Sequence, residues 1–382
     1  MQTRTLLFLA AATVANSQST SLTDALGSQD SLSTLASLLS NSSLAQSLDS
    51  LSNVTILAPN NDALSAVLNS GDAGNSLSAP GYIDALLSYH ILNGTYYASN
   101  ITNSSTFVPT YLTNTTYTNL TAGQVVEAAR VNDNVTFFSA LKLNSSVVTP
   151  DLNFTGGTVH IIDSILFIPG NITDTLAGSN LTAAVGALEA VALPDSLGRT
   201  QDITIFAPNN DAFNAVGSIA SNLTTDQLTS ILGYHVLNGT VAYSSDLSNS
   251  TVSAADGTNL TITVIDGTVF VNDAKVTVPN ILLENGVCHV IDQVLNPNNT
   301  VANPDPSQSS ATPAYSGASS TTEIPFTSGV ETATTTFPAA TSAAGGGTGQ
   351  TSSSSEGLGV PIQTGAVGAA ALFGGAAILV NL

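Results

Sequence analysis

The sequence predicts an α+β protein of two tandem domains, each with short helices leading and strands following. Three observations carry this. The block Thr55-Ile56-Leu57-Ala58-Pro59-Asn60-Asn61-Asp62-Ala63-Leu64 returns nearly unchanged as Thr204-Ile205-Phe206-Ala207-Pro208-Asn209-Asn210-Asp211-Ala212-Phe213. Two further landmarks recur in the same order: Tyr89-His90-Ile91-Leu92-Asn93-Gly94-Thr95 with Tyr234-His235-Val236-Leu237-Asn238-Gly239-Thr240, and Gly157-Thr158-Val159-His160-Ile161-Ile162-Asp163 with Gly286-Val287-Cys288-His289-Val290-Ile291-Asp292. In both copies helical spacing comes first and alternation follows the Tyr-His pair. A period this long marks whole domains, because solenoid units run to roughly 20–50 residues.

Taken in order, residues 1–17 read as a secretory signal, with Arg4, an apolar run from Leu6 to Val14 and the small-residue site Ala15-Asn16-Ser17. Domain 1 is expected over 18–169. Leu32, Leu35, Leu38 and Leu39, then Leu44, Leu48 and Leu51, fall at helical intervals and predict a leading pair of short amphipathic helices. Thr55 to Leu57 reads as a strand stopped by Pro59, and Asn60, Asn61 and Asp62 as caps for the helix that Ala63 and Leu64 begin. The link around Pro169 to Thr173 is short enough to restrict the arrangement of the domains. Domain 2 is expected over 170–297. It repeats the entry, Ile172-Thr173-Asp174 for Leu22-Thr23-Asp24, and the helical spacing at Leu181, Val185, Leu188 and Val191. Leu260 to Ile265, Asp266-Gly267 and Thr268 to Val271 predict a hairpin whose Asp-Gly pair supplies the positive φ angles of a tight turn.

Residues 298–356 shift to Ser, Thr, Pro, Ala and Gly and read as an extended, O-glycosylated, disordered stalk. Residues 357–382 complete a pattern of small residues, spacer and apolar tail that predicts a GPI-attachment signal, with Ser352, Ser353 or Ser354 as the attachment residue. A transmembrane helix is the alternative; no Lys or Arg follows the tail to hold it on a cytoplasmic side.

Only 8% of the 382 residues are charged, and five Lys and Arg against 26 Asp and Glu give a net charge of −21. Such a surface repels nucleic acid and anionic membranes, so membrane association is expected only through a lipid anchor. Seventeen Asn-X-Ser/Thr sequons mark potential N-glycosylation, at Asn41, Asn53, Asn93, Asn100, Asn103, Asn114, Asn119, Asn134, Asn144, Asn153, Asn171, Asn180, Asn222, Asn238, Asn249, Asn259 and Asn298.

All four histidines, His90, His160, His235 and His289, lie inside the repeated landmarks. Flanked by apolar residues and without ligand spacing, they read as structural; neither a metal nor a cofactor is expected, and no nucleophile, phosphate-loop or dinucleotide motif calls for an enzyme. His160 and Asp163, three apart on a strand, point to opposite faces, which disfavours a dyad. Cys288 is the single cysteine, so it forms no intrachain disulfide and reads as a buried thiol.

The three repeated blocks resemble the fasciclin (FAS1) domain family. That resemblance implies short helices packed on a β-sandwich, and extracellular adhesion or matrix association. Adhesion in animal members is associated with the Tyr-His region and an Asp-Ile pair ahead of the last block. The matching positions are Tyr89, His90, Tyr234 and His235, with Asp151 and Leu152, and Asn280 and Ile281, at the Asp-Ile place. Read from the residues themselves, an aromatic next to an apolar run makes each Tyr-His pair a core-packing and loop-fixing element. With its stalk and anchor signal the chain looks like a fungal-type surface glycoprotein. Expected partners are cell-surface or matrix proteins or glycans, including a second copy of the chain. A structural wall or vacuolar glycoprotein without a ligand, and a small-molecule or lipid-binding module, are the alternative readings.

Overall fold

Val54–Pro59 is buried along its whole length, so both faces of this first strand must find apolar partners, and the domain is layered around it. The computed structural model describes residues 20–40, 42, 50–69, 80–220, 222–308 and 314–330. The expected signal segment 1–17, Asn41, Leu44, Leu48 and the attachment candidates Ser352, Ser353 and Ser354 lie outside them.

Domain 1 runs α1 (Leu22–Gly27), α2 (Ser33–Ser40), β1 (Val54–Pro59), α3 (Asn61–Leu68), α4 (Tyr82–Tyr89), β2 (Ile91–Asn93), β3 (Thr106–Pro109), β4 (Val125–Val131), β5 (Asn134–Phe138), β6 (Asn144–Phe154) and β7 (Gly157–Ile162). Domain 2 repeats it as α5 (Ile172–Gly178), α6 (Thr182–Ala190), α7 (Pro194–Arg199), β8 (Ile203–Pro208), α8 (Asn210–Ala215), α9 (Gly217–Ala220), α10 (Thr225–Tyr234), β9 (Val236–Leu237), β10 (Ser250–Ser253), β11 (Asn259–Ile265), β12 (Thr268–Val271), β13 (Ala274–Leu283) and β14 (Gly286–Ile291). The α+β class holds, with helices ahead of most strands.

Each domain has one seven-stranded sheet, in the order β2-β1-β7-β6-β5-β4-β3 and β10-β11-β12-β13-β14-β8-β9. The long β6 is shared: Asn144 to Ser146 pair with β5, and the remainder pairs with β7 across two register shifts. Bulges bend a strand, so the two halves of the sheet fold over a common core. The edges meet at the Leu92–Thr110 bridge, which leaves the sheet nearly closed. The parallel pairs β1–β7 and β8–β14 join the first and last landmarks of each repeat.

In domain 2 the two faces of β8 separate cleanly. Ile203, Ile205 and Ala207 pack under the helices, whereas Phe206 enters the space between the half-sheets with Tyr234, Leu260 and Val271. Period-two alternation thus supplies two cores from one apolar strand. Asn60 Oδ1 accepts from Ala63 N at 2.8 Å and Asn209 Oδ1 from Ala212 N at 2.7 Å, the caps the sequence predicts. Asn61 and Asn210 do not cap their own helices. Asn61 Oδ1 accepts from Thr34 N at the start of α2, and Asn210 Oδ1 from Ala183 N at the start of α6, tying each leading helix to the first landmark.

The short link is matched by direct contact between the domains. Asn119 N donates to Glu284 O, Gln124 Nε2 donates to Leu283 O at 3.1 Å, and Phe107 stacks on Tyr243 with ring centres 3.9 Å apart. Residues 314–330, inside the stretch expected as a stalk, are folded: Tyr315, Ala318, Ile324, Phe326 and Val330 pack on the core of domain 2. A handful of apolar residues suffices there because the groove that receives them is supplied by the helices.

Candidate functional site

The three landmarks converge on one segment, the loop that follows the Tyr-His pair. In domain 1, Thr55 Oγ1 donates to Gly94 O and accepts from Tyr96 N, both at 2.8 Å. His160 Nε2 donates to Tyr96 O at 2.8 Å, while its Nδ1 accepts from Asp151 N at 3.1 Å. Asp151 Oδ1 then accepts from Ala98 N at 2.9 Å. Domain 2 reproduces every link: Thr204 Oγ1 to Thr240 O and from Ala242 N, His289 Nε2 to Ala242 O, Asn280 N to His289 Nδ1, and Ser244 N to Asn280 Oδ1.

Asp151 and Asn280 are the bulge residues of β6 and β13, with φ of 58° and 64°. Apart from glycine, short polar side chains adopt this left-handed conformation most readily, and both residues use the side-chain Oδ1 to hold the loop. The residue at the Asp-Ile place is therefore a turn-former and clasp in both copies.

His90 and His235 form a second clasp with the opposite tautomer. Each Nε2 accepts from a backbone N–H, of Leu166 at 3.0 Å or Leu295 at 2.9 Å, so each Nδ1 carries the proton and donates to Leu86 O or Ile231 O. Burial pushes His90, His235 and His289 down to about 4, and lowers His160 as well. The rings are neutral at physiological pH, so the 3.8 Å approach of His160 to the Asp151 carboxylate is not an ion pair. Both nitrogens of all four rings are used by backbone groups, which leaves no lone pair for a base or a ligand. Asp163 Oδ1 accepts from Ser146 N and takes no part in a dyad. Cys288 is fully buried, and burial pushes its thiol up to about 12, in line with an unreactive thiol.

These geometries bear out the core-packing reading of the Tyr-His pairs and correct the surface role that the resemblance implied for them. Tyr89 and Tyr234 are fully buried, and His90 and His235 nearly so. Tyr89 Oη donates to Val125 O at 2.9 Å; Tyr234 Oη donates to Asn259 O and receives Asn272 Nδ2. An aromatic ring beside an apolar strand is worth more inside, and its hydroxyl finds a partner there. Asn280 and Ile281 are also buried, at 1% and 3% exposure. Ile281 belongs to the core of domain 2 and borders a cavity shared with Leu141 and Lys142 of the first domain and Ile324 of the tail. Of the expected surface only Asp151 and Leu152 stay half-exposed, beside Tyr97, which is 40% exposed. Every sequon asparagine among the described residues is exposed except Asn119, which is half-buried and donates to Gly198 O in the neighbouring domain.

Comparison with known proteins decides what this lattice is. The fasciclin domain model matches residues 30–169 and again 179–297. The chain belongs to the fasciclin domain family. A fasciclin-like arabinogalactan protein of Arthroderma benhamiae is 33% identical over 293 residues, covering 76% of this chain and 70% of that protein. A fasciclin-like arabinogalactan protein of Phaeosphaeria nodorum is 32% identical over 291 residues, covering 76% of this chain and 91% of its own length. Among solved structures, a FAS1 domain pair from the insect cell adhesion molecule Fasciclin I aligns at 21% identity and a TM-score of 0.35, over 71% of this chain and 99% of that one. The landmarks of the fasciclin repeat are thus the hydrogen-bonding framework of its loop.

Sequence reasoning missed the clasp because its partners are backbone atoms far away in the chain. The one available signal was the repetition of Thr55, His160 and the polar residue at 151 as Thr204, His289 and Asn280, each a polar residue inside or beside apolar strand sequence.

Proposed function

We propose that this chain is a cell-surface or wall-associated glycoprotein whose tandem fasciclin domains mediate adhesion or matrix organisation, acting through domain 1. The observation that carries the reading is the asymmetry at the bulge: Asp151 and Leu152 reach solvent, whereas Asn280 and Ile281 do not. The exposed sequons and the fungal arabinogalactan relatives support a glycosylated, extracellular setting. Attachment through a GPI anchor at Ser352, Ser353 or Ser354 is part of the proposal, as are partners among surface or matrix proteins and glycans, a second copy included. The domains work without catalysis, holding a contact in place.

Asp151→Asn tests the reading cleanly. Asparagine is what domain 2 carries at this place, so the left-handed turn and the bond to Ala98 N are retained while the charge is lost. Cells displaying the Asp151→Asn, Leu152→Ala double variant should adhere at least several-fold less than wild type at equal surface density. Unchanged adhesion by a folded variant moves the contact elsewhere and favours a purely structural wall role. Release of the protein by phospholipase C from intact cells tests the anchor separately.

A further inference from the structure

The helical face of each domain carries a groove built from the same five positions. They are Leu64, Val67, Ile83, Leu86 and Ile165 in domain 1, and Phe213, Val216, Leu228, Ile231 and Val294 in domain 2. In domain 2 the chain closes its own groove: Tyr315 and Phe326 form the outer wall, and a cavity of about 20 Å³ remains. In domain 1 the groove holds a cavity of about 90 Å³, with Leu68, 47% exposed, at its mouth. Dry apolar cavities of roughly 150 Å³ take up benzene, so this one is of the right order for part of a hydrocarbon.

The tail enters domain 2 through two glycines. A Cβ on Gly186 would overlap Phe326 O, and one on Gly217 would overlap Thr321 Oγ1. Its backbone is also satisfied there, by Asn214 Oδ1 for Thr321 N at 3.2 Å and by Ser218 for both polar groups of Ser319. Among the described residues, domain 1 has neither device. The shared bonds of Asn61 and Asn210 set the register, which places Ser37 at the position of Gly186; counting from the first landmark places Leu68 at that of Gly217. Among the described residues the domain 1 lining is hydrocarbon apart from His90, whose two nitrogens are engaged. A peptide entering it would strand backbone N–H and C=O groups, and a hydrocarbon strands none. Charge narrows the ligand further. Asp24, Asp62 and Asp84 sit in the first turns of the surrounding helices, and no Lys or Arg occurs between Arg4 and Arg130. An anionic head at the mouth would meet like charge without a counter-ion.

We propose that the domain 1 groove binds the aliphatic chain of an uncharged monomeric amphiphile, such as a long-chain alcohol or ester, and that domain 2 has lost this capacity to its own tail.

The chain contains no tryptophan, so Leu68→Trp at the mouth gives the intact protein a single indole donor. Titrated with the neutral probe diphenylhexatriene, this variant should show saturable uptake of one probe per chain with energy transfer from the introduced indole. Hexadecanol should displace the probe, and hexadecanoate should do so at least tenfold less well. Leu87→Trp, which fills the cavity from a half-buried position, should weaken uptake at least tenfold. Absence of saturable uptake by the Leu68→Trp protein, or uptake without transfer, overturns the proposal; equal displacement by the carboxylate overturns its choice of head group.

Discussion

In domain 2, Gly186 and Gly217 let segment 314–330 lie against the helices, and Ile281 is buried in the core. In domain 1, Ser37 and Leu68 stand at the glycine positions, and Asp151 and Leu152 keep contact with solvent. Beneath these differences the hydrogen bonds of Thr55, His90 and His160 are repeated one for one by Thr204, His235 and His289. The comparison teaches that the repeated residues hold the fold, while residues that differ between the copies decide which faces are closed. Function is therefore to be sought where the copies disagree.

The largest effects should come from what the domains share. A Cβ on Gly157 would overlap Val54 O and one on Gly286 would overlap Ile203 O, where the parallel strands begin. Gly157→Ala and Gly286→Ala should each cost on the order of 3 kcal/mol or more, since backbone cannot move aside as a side chain does. Urea unfolding followed by domain-specific proteolysis should find equal damage in the two copies; a large inequality would break the equivalence.

Acidification tests the buried histidines. Their folded-state values near 4 lie below the ordinary value of 6.5, so folding favours the neutral rings. Their contribution is full above about pH 6.5, falls as the pH drops from 6.5 to about 4, and is flat below. Each such ring is worth on the order of 3 kcal/mol over that window. Asp174 and Glu284, raised by burial, work in the opposite direction, because their cost at neutral pH is relieved on protonation. Unfolding midpoints at pH 7.5 and 4.5 should differ less in a His235→Gln protein than in wild type.

Phe326→Ala should separate the copies. The ring packs edge-on against Phe213 with centroids 6.0 Å apart, and its loss should destabilise domain 2 by about 2 kcal/mol and open residues 314–330 to protease. Leu68→Ala in domain 1, at an exposed position, should change stability by less than about 0.5 kcal/mol. Protection of the tail in a Phe326→Ala protein would show that the glycines alone retain it.

The smallest contrast concerns the two tyrosines. Tyr89→Phe removes one bond to Val125 O, at about 1 kcal/mol, whereas Tyr234→Phe also strands the amide of Asn272 and should cost about 2 kcal/mol. Equal losses would mean that the Asn272 link is inert.

The sequence by itself determined the two α+β domains, their order, the capped helix after each first landmark, the Asp266-Gly267 hairpin and the structural character of the histidines. These follow from local rules: apolar periodicity, proline and glycine chemistry, and side-chain oxygens at helix starts act within a few residues, and repetition makes them visible twice. Tertiary structure decided the rest. Asn61 and Asn210 were legible as caps but not as caps of another helix, because the receiving N–H groups of Thr34 and Ala183 lie 27 residues away. Tyr89 and Tyr234 read as core from the apolar run beside each and as recognition residues only by resemblance; the closing of the sheet over them shows the first reading to hold. Residues 314–330 carry too few apolar side chains to build a core, which is all that composition can report. They are ordered because Gly186 and Gly217 leave room on a surface already built, and the fit of a segment to a distant groove depends on three-dimensional approach that no local pattern encodes.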